Sequence, residues 1–186
     1  MTENARREIN RIMSTANTDG YYYKPRIDLN MLLSLTPTDT VVTTACVAGR
    51  MFKDGWEENF LKPVKNHFKE NFFLEVQAHV DDKQKEHNRK ILDAHRKYGV
   101  ALIHANDSHY VHPSDAKNRD LFLKAKGIVY EEEGGFILDY PDSDEIYKRY
   151  AQQGVLTKDE VTEALSNTLV FDNAEGIHLD KEFKIP

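Results

Sequence analysis

Apolar residues recur at helical spacing in the opening segment, where Ala5, Ile9, Ile12, Met13 and Ala16 stand between charged positions. The spacing predicts an amphipathic helix that Gly20 ends. Three tyrosines and Pro25 follow in YYYKPRID (residues 21–28), an ordered connection rather than a helix interior, because a proline pushes the residue before it toward extended geometry. A short helix is expected over 29–35. The β-branched run TVVTTAC (40–46) then reads as a buried strand closed by Gly49.

Periodicity returns to 3.6 in residues 56–70, where Trp56, Phe60, Leu61, Val64 and Phe68 mark one face and Pro63 marks a kink or restart. FFLEVQAH (72–79) is a second strand. Residues 81–98, dense in charge around Ile91, Leu92 and His95, predict an exposed helix ending at Gly99. VALIHANDSHYV (100–111) is a third strand with its exit loop. Strands alternating with helices are the pattern of parallel β-α units, so the fold class is α/β. The rest is mostly helical: 114–126, 143–153, and a last helix opened by the capping box Thr157-Lys-Asp-Glu160. With 186 residues, the whole span 1–186 is expected to form one domain.

Composition narrows the function classes. A net charge of -6 argues against a free-standing nucleic-acid binder and confines any DNA contact to a local face or a neighbouring domain. No apolar run is long enough for a membrane span, and the charged first residues are not a signal peptide. The single cysteine, Cys46, excludes an intrachain disulfide and fits a reducing cytoplasm.

Candidate chemistry gathers at strand ends. Asp107 and His109 stand two apart, so in an extended chain both point to one face, where a carboxylate and an imidazole can hold Zn²⁺, Mn²⁺ or Fe²⁺. The alternative is an Asx turn beside a surface histidine. Cys46 ends the first strand and is either a thiolate ligand or a small buried hydrophobe. On the second strand Glu75, Gln77 and His79 form a polar face, solvated if that side is open and inward-facing if the sheet closes. His104, of opposite parity, is read as structural. His67, His87, His95 and His178 are read as surface residues. No P-loop, G-x-G-x-x-G or G-x-S-x-G is present.

Taken together, YYYKPRID, TTACVAG (43–49), FFLEVQAH and ANDSHYV (105–111) resemble, in order and spacing, the later half of the PHP (polymerase and histidinol phosphatase) domain of bacterial and phage DNA polymerase III alpha subunits. Asn167-Thr168 and the final FKIP (183–186) resemble the end of that domain. The resemblance implies a distorted β/α barrel, here partial, with divalent metals at its strand ends. Cys46, Asp107 and His109 match late metal-ligand positions; Glu75 and His79, from the alternation on the second strand, are expected beside those ligands or facing inward. It further implies Zn, Mn or Fe at the site, Mg for the parent polymerase, a metal-activated water for phosphoester hydrolysis, and in some members a proofreading 3′-5′ exonuclease.

The family's H-x-H pair and other early ligands have no counterpart here, so a three-ligand remnant cannot assemble the metal cluster, and the chain alone is expected to be inactive. Residues 122–129 differ from the Cys-containing helix end of cellular members, which points to a phage-type polymerase. The expected partners are the missing N-terminal half of the domain, the polymerase domains and, through them, DNA. An open half-barrel also exposes a strand edge, from which self-association is expected. Two other functions fit the same residues: a phosphoesterase completed in trans by a separate N-terminal fragment, and a non-catalytic interaction module.

Overall fold

The computed structural model describes residues 2–49, 53–130 and 135–176. They fall into two compact units, Met1–Val41 with Leu169–Pro186, and Val42–Thr168. His178, the acidic run at 131–133 and the FKIP end lie outside the described residues.

In the first unit, helix α1 (Glu3–Asn17) starts at Thr2, whose hydroxyl accepts from the Ala5 N–H. Ala5 and Ala16 are its buried contacts. Helix α2 (Leu29–Leu33) is capped by the Asp28 carboxylate. Long-range bonds close the unit. The Glu8 carboxylate accepts from both the N–H and the hydroxyl of Thr36 at 2.8 Å each, and Thr2 donates to Asp39 at 2.8 Å.

The second unit carries the sheet. Strands β1 (Val42–Thr43), β2 (Phe72–Val76) and β3 (Leu102–His104) pair in parallel in the order β1-β2-β3, with Val42 opposite Phe72 and Leu74 opposite Leu102. Helices fill both crossovers. Between β1 and β2 runs a π-helical turn, Glu57–Leu61, which passes into α3 (Lys62–Phe68) where Pro63 has no N–H to return to residue 59. Between β2 and β3 lies α4 (Asp82–Tyr98), capped by Asp81 and stopped by Gly99 at φ 64°. The α/β class and parallel pairing follow the sequence reading; the three strands form an open sheet, not a closed barrel.

The strands are shorter than their β-branched runs. Ala45 (φ 59°) and Asp107 (φ 56°) adopt left-handed backbone just past β1 and β3, which ends the extended geometry there. Phe72, Leu74, Val76, Leu102 and Ile103 are buried, as expected of parallel strands covered on both faces.

Three helices complete the unit: α5 (Ala116–Lys126), α6 (Ser143–Gln153) and α7 (Lys158–Ser166). The Thr157–Glu160 capping box forms as expected. Helix α7 also covers the outer edge of β3. Glu163 accepts from the Leu102 N–H at 3.1 Å and the Asn167 amide donates to the Leu102 carbonyl at 2.7 Å, so side chains occupy a position another strand would otherwise fill. No helix among the described residues is long and apolar enough to cross a membrane.

Candidate functional site

The chain leaves the carboxyl ends of β1, β2 and β3 through three segments that carry the candidate residues. After β1, the tight turn 43–49 holds Cys46. The Gly49 N–H donates to the Cys46 carbonyl at 2.8 Å, and a Cβ on Gly49 would sit 2.6 Å from the Thr44 carbonyl oxygen, so only glycine permits this closure. The Cys46 thiol is free and half-buried.

On β2, Glu75 is half-buried and already engaged. Its carboxylate accepts from the Thr43 hydroxyl at 2.8 Å and from the Gln77 amide at 3.0 Å. Gln77 and His79, just beyond, are buried, although the sheet is open. The His79 ring stacks flat on Phe136, centroids 4.2 Å apart and 5° between planes. Burial, reinforced by the Arg149 charge, lowers its pKa to about 4, so the imidazole is neutral at pH 7. Its buried Nε2 finds no hydrogen-bond partner among the described residues.

After β3, the loop 106–110 is tied to 138–139. The His109 N–H donates to the Leu138 carbonyl at 2.7 Å and the Ser108 hydroxyl to the Asp139 carbonyl at 2.7 Å. The turn at Asp107 replaces the extended geometry from which a shared face was expected. It still brings the pair together: the Asp107 carboxylate comes within 3.9 Å of His109 Nδ1. Nδ1 also lies 2.9 Å from the Asp107 carbonyl and, as donor to it, leaves the lone pair on Nε2. The carboxylate therefore makes its nearest approach to the engaged nitrogen and not to the one free to ligate.

A divalent ion in a catalytic site takes about three protein ligands. Among the described residues no three His, Cys, Asp or Glu side chains gather closely enough to hold one. Asp107 and His109 make a two-donor pair, and Cys46 lies in the segment that follows β1. These residues by themselves do not fit the metal.

Beneath the rim lies a polar network that the sequence reading missed. The Asn88 amide donates to the Gln77 carbonyl at 2.9 Å and to Gln153 at 2.7 Å. Gln84 donates to Asn88 at 2.8 Å, and Gln153 to the carbonyls of Gln77 at 3.1 Å and His79 at 2.7 Å. Beside it, Arg149 grips Asp139 through two bonds of 2.6 and 2.8 Å, both side chains buried. His104, read as structural, is so. Asn106 Oδ1 lies 2.6 Å from its Nε2 and the Tyr150 hydroxyl 2.8 Å from its Nδ1, an arrangement satisfied by a proton on Nε2. His87, read as a surface residue, is instead fully buried, because α4 turns its uncharged polar side inward.

No protein-family model matches the chain. Homologues named DNA polymerase III subunit alpha cover much of it at 26–31% identity. The protein of that name from Aquifex aeolicus is 31% identical over 133 residues, 67% of this chain and 11% of its own length. The one from Borreliella burgdorferi is 29% identical over 168 residues, 86% of this chain and 14% of its own. A DNA-directed DNA polymerase of Bacillus phage SPbeta is 26% identical over 182 residues, again 86% and 14%. The chain thus spans 11–14% of the length of these relatives, and it is a distant relative of one stretch of bacterial and phage DNA polymerases.

Proposed function

We propose that the chain is the later portion of a PHP-type domain belonging to a replicative DNA polymerase III alpha subunit. Its role in this reading is mainly structural, a platform for the polymerase. The similarity to polymerase chains over 86% of its length carries the reading. The parallel β-α order supports it, because Cys46 follows β1 while Asp107 and His109 follow β3, the strand ends where α/β folds gather their functional groups.

In this reading the fold is part of a distorted β/α barrel, and residues 1–186 belong to one domain of it. Cys46, Asp107 and His109 are donors to a Zn, Mn or Fe site that is complete only when a further segment adds histidine and carboxylate ligands. When bound, such an ion would supply an activated water for phosphoester hydrolysis. Glu75, held by Thr43 and Gln77, acts as a support for the β1–β2 rim. The chain alone is inactive.

The test mixes the purified chain with a polypeptide made from the region that precedes the matched stretch in the Borreliella burgdorferi relative. A complex by light scattering, retaining metal by mass spectrometry, is expected. Cys46→Ser, Asp107→Asn and His109→Ala should each lower the metal content. A metal-dependent nuclease assay on the complex separates an active phosphoesterase from a platform. Absence of both complex and metal overturns the reading.

A further inference from the structure

We propose that the loop of residues 20–26 is a stacking platform for single-stranded DNA. The choice of ligand rests on the polymerase reading above; the platform itself rests on the loop. Every residue from 21 to 28 is exposed, and three of them in a row are tyrosines. Exposed aromatic rings have unfavourable hydration unless something covers them, and these belong to an ordered loop.

Two backbone contacts fix its shape. A Cβ on Gly20 would meet the Arg26 carbonyl oxygen at 2.3 Å, so the glycine lets the loop's two ends touch. At the tip the Tyr22 N–H donates to the Lys24 carbonyl at 3.2 Å. Tyr23, between them, has φ 60° and is 83% exposed. Glycine adopts that backbone freely, whereas a tyrosine is strained in it, and the side chain packs into no core in return. Neither folding nor packing accounts for an aromatic ring there.

The side chains form an ordered surface. Tyr23 meets Tyr22 edge to face with centroids 4.6 Å apart, and the Arg26 guanidinium lies 4.9 Å over the Tyr22 ring. Lys24 and Arg26 form no ion pair among the described residues, while the neighbouring Asp28 carboxylate is taken by the Met31 N–H at 2.8 Å. Residues 1–41 hold five basic and five acidic side chains, so the whole net charge of -6 lies beyond them. An aromatic loop whose two cations pair with no carboxylate among the described residues, in a segment of no net charge, suits an anionic polymer with flat bases. Rings take the bases and cations take the phosphates.

Anisotropy of a labelled 16-nucleotide thymidine strand, titrated with the full chain over a series of salt concentrations, tests this. Saturable binding is expected, weakening with a log-log salt slope of about -1.4 for two neutralised phosphates. Tyr23→Gly should leave thermal stability unchanged or higher while weakening binding about 5- to 150-fold, the range for loss of one stacked base. Lys24→Gln should flatten the slope by about 0.7, and a duplex of equal length should bind less tightly.

No saturable binding, or binding that Tyr23→Gly and Lys24→Gln leave unchanged, overturns the proposal. A loop that serves a polypeptide instead gives the first of these results. Loss of DNA binding with the metal-retaining complex intact defeats this inference alone; tyrosine-dependent binding without that complex defeats the polymerase reading alone.

Discussion

Helix α4 turns Gln84, His87 and Asn88 inward, whereas α5 leaves Leu121 and Phe122 67% and 59% exposed and buries no residue at all. Both helices follow strands of the same sheet, yet α4 buries uncharged polar side chains beside Ile91, Leu92 and Ala94, while α5 leaves apolar ones in solvent. What separates them is the supply of partners. On the inner side of α4, Asn88 meets the Gln77 carbonyl and Gln153, so its amide is buried at little cost. The outer side of α4 carries Lys83, Lys85, Glu86, Arg89, Lys90 and Asp93, all charged. Helix α5 has no comparable inner side; Lys126 lies 5.7 Å over the exposed Phe122 ring. On α4 the bonds that join Gln84, Asn88 and Gln153 let polar side chains share a buried face with Ile91 and Leu92.

The largest loss of stability is expected at the Arg149–Asp139 ion pair. Arg149→Ala leaves the buried Asp139 carboxylate uncompensated, and a loss of about 3–5 kcal/mol in urea unfolding is expected. A change under 1 kcal/mol would mean that water reaches this region. Asn88→Ala comes next. It leaves the Gln84 amide and the Gln153 carbonyl oxygen without their bonds, at about 3 kcal/mol in total. Asn88→Asp distinguishes charge from hydrogen bonding, since a buried carboxylate facing the Gln77 carbonyl should destabilise at least as much as alanine does.

Protonation provides a third test. Burial lowers both His79 and His87 to a pKa of about 4, against 6.5 when unfolded. As pH falls below 6.5 the unfolded chain takes up protons that the folded chain refuses, so stability is flat above pH 7 and is lost on the way to pH 4. Between pH 7.5 and 5 the loss is about 2 kcal/mol per histidine. Urea titrations at the two pH values check it, and His79→Gln should remove that residue's share. Equal stability at both values would place these rings in water.

Much of the fold was legible because its helix signals are local. Asp142, Gly154 and the Thr157–Glu160 box fix α6 and α7 through contacts three or four residues apart. Strand ends were less legible. TVVTTAC keeps its β-branched character past the point where Ala45 turns, since the left-handed residue is set by the close approach at Gly49 and not by propensity.

At the candidate site, the closeness of Asp107 and His109 was readable from their separation of two. How Cys46 stands to them depends on strand order and register, which no local pattern encodes. The inward side of α4 had a usable signal: Gln84, His87, Asn88, Ile91 and Leu92 share one helical face from which charged residues are absent. Separating charged from neutral polar residues, rather than polar from apolar, would have found it.

The smallest expected effect falls on α5. Leu121→Ser and Phe122→Ser remove apolar surface that already faces solvent, so each should change the unfolding free energy by about 0.5 kcal/mol or less. The phenylalanine should cost slightly more, through its contact with Lys126. Compared with the roughly 3 kcal/mol expected at Asn88, the buried asparagine of α4 is then several times more important to this fold than the exposed Leu121 or Phe122 of α5. If Leu121→Ser instead costs 2 kcal/mol or more, α5 is packed in solution, and the contrast between the two helices reduces to the ordinary burial of apolar surface.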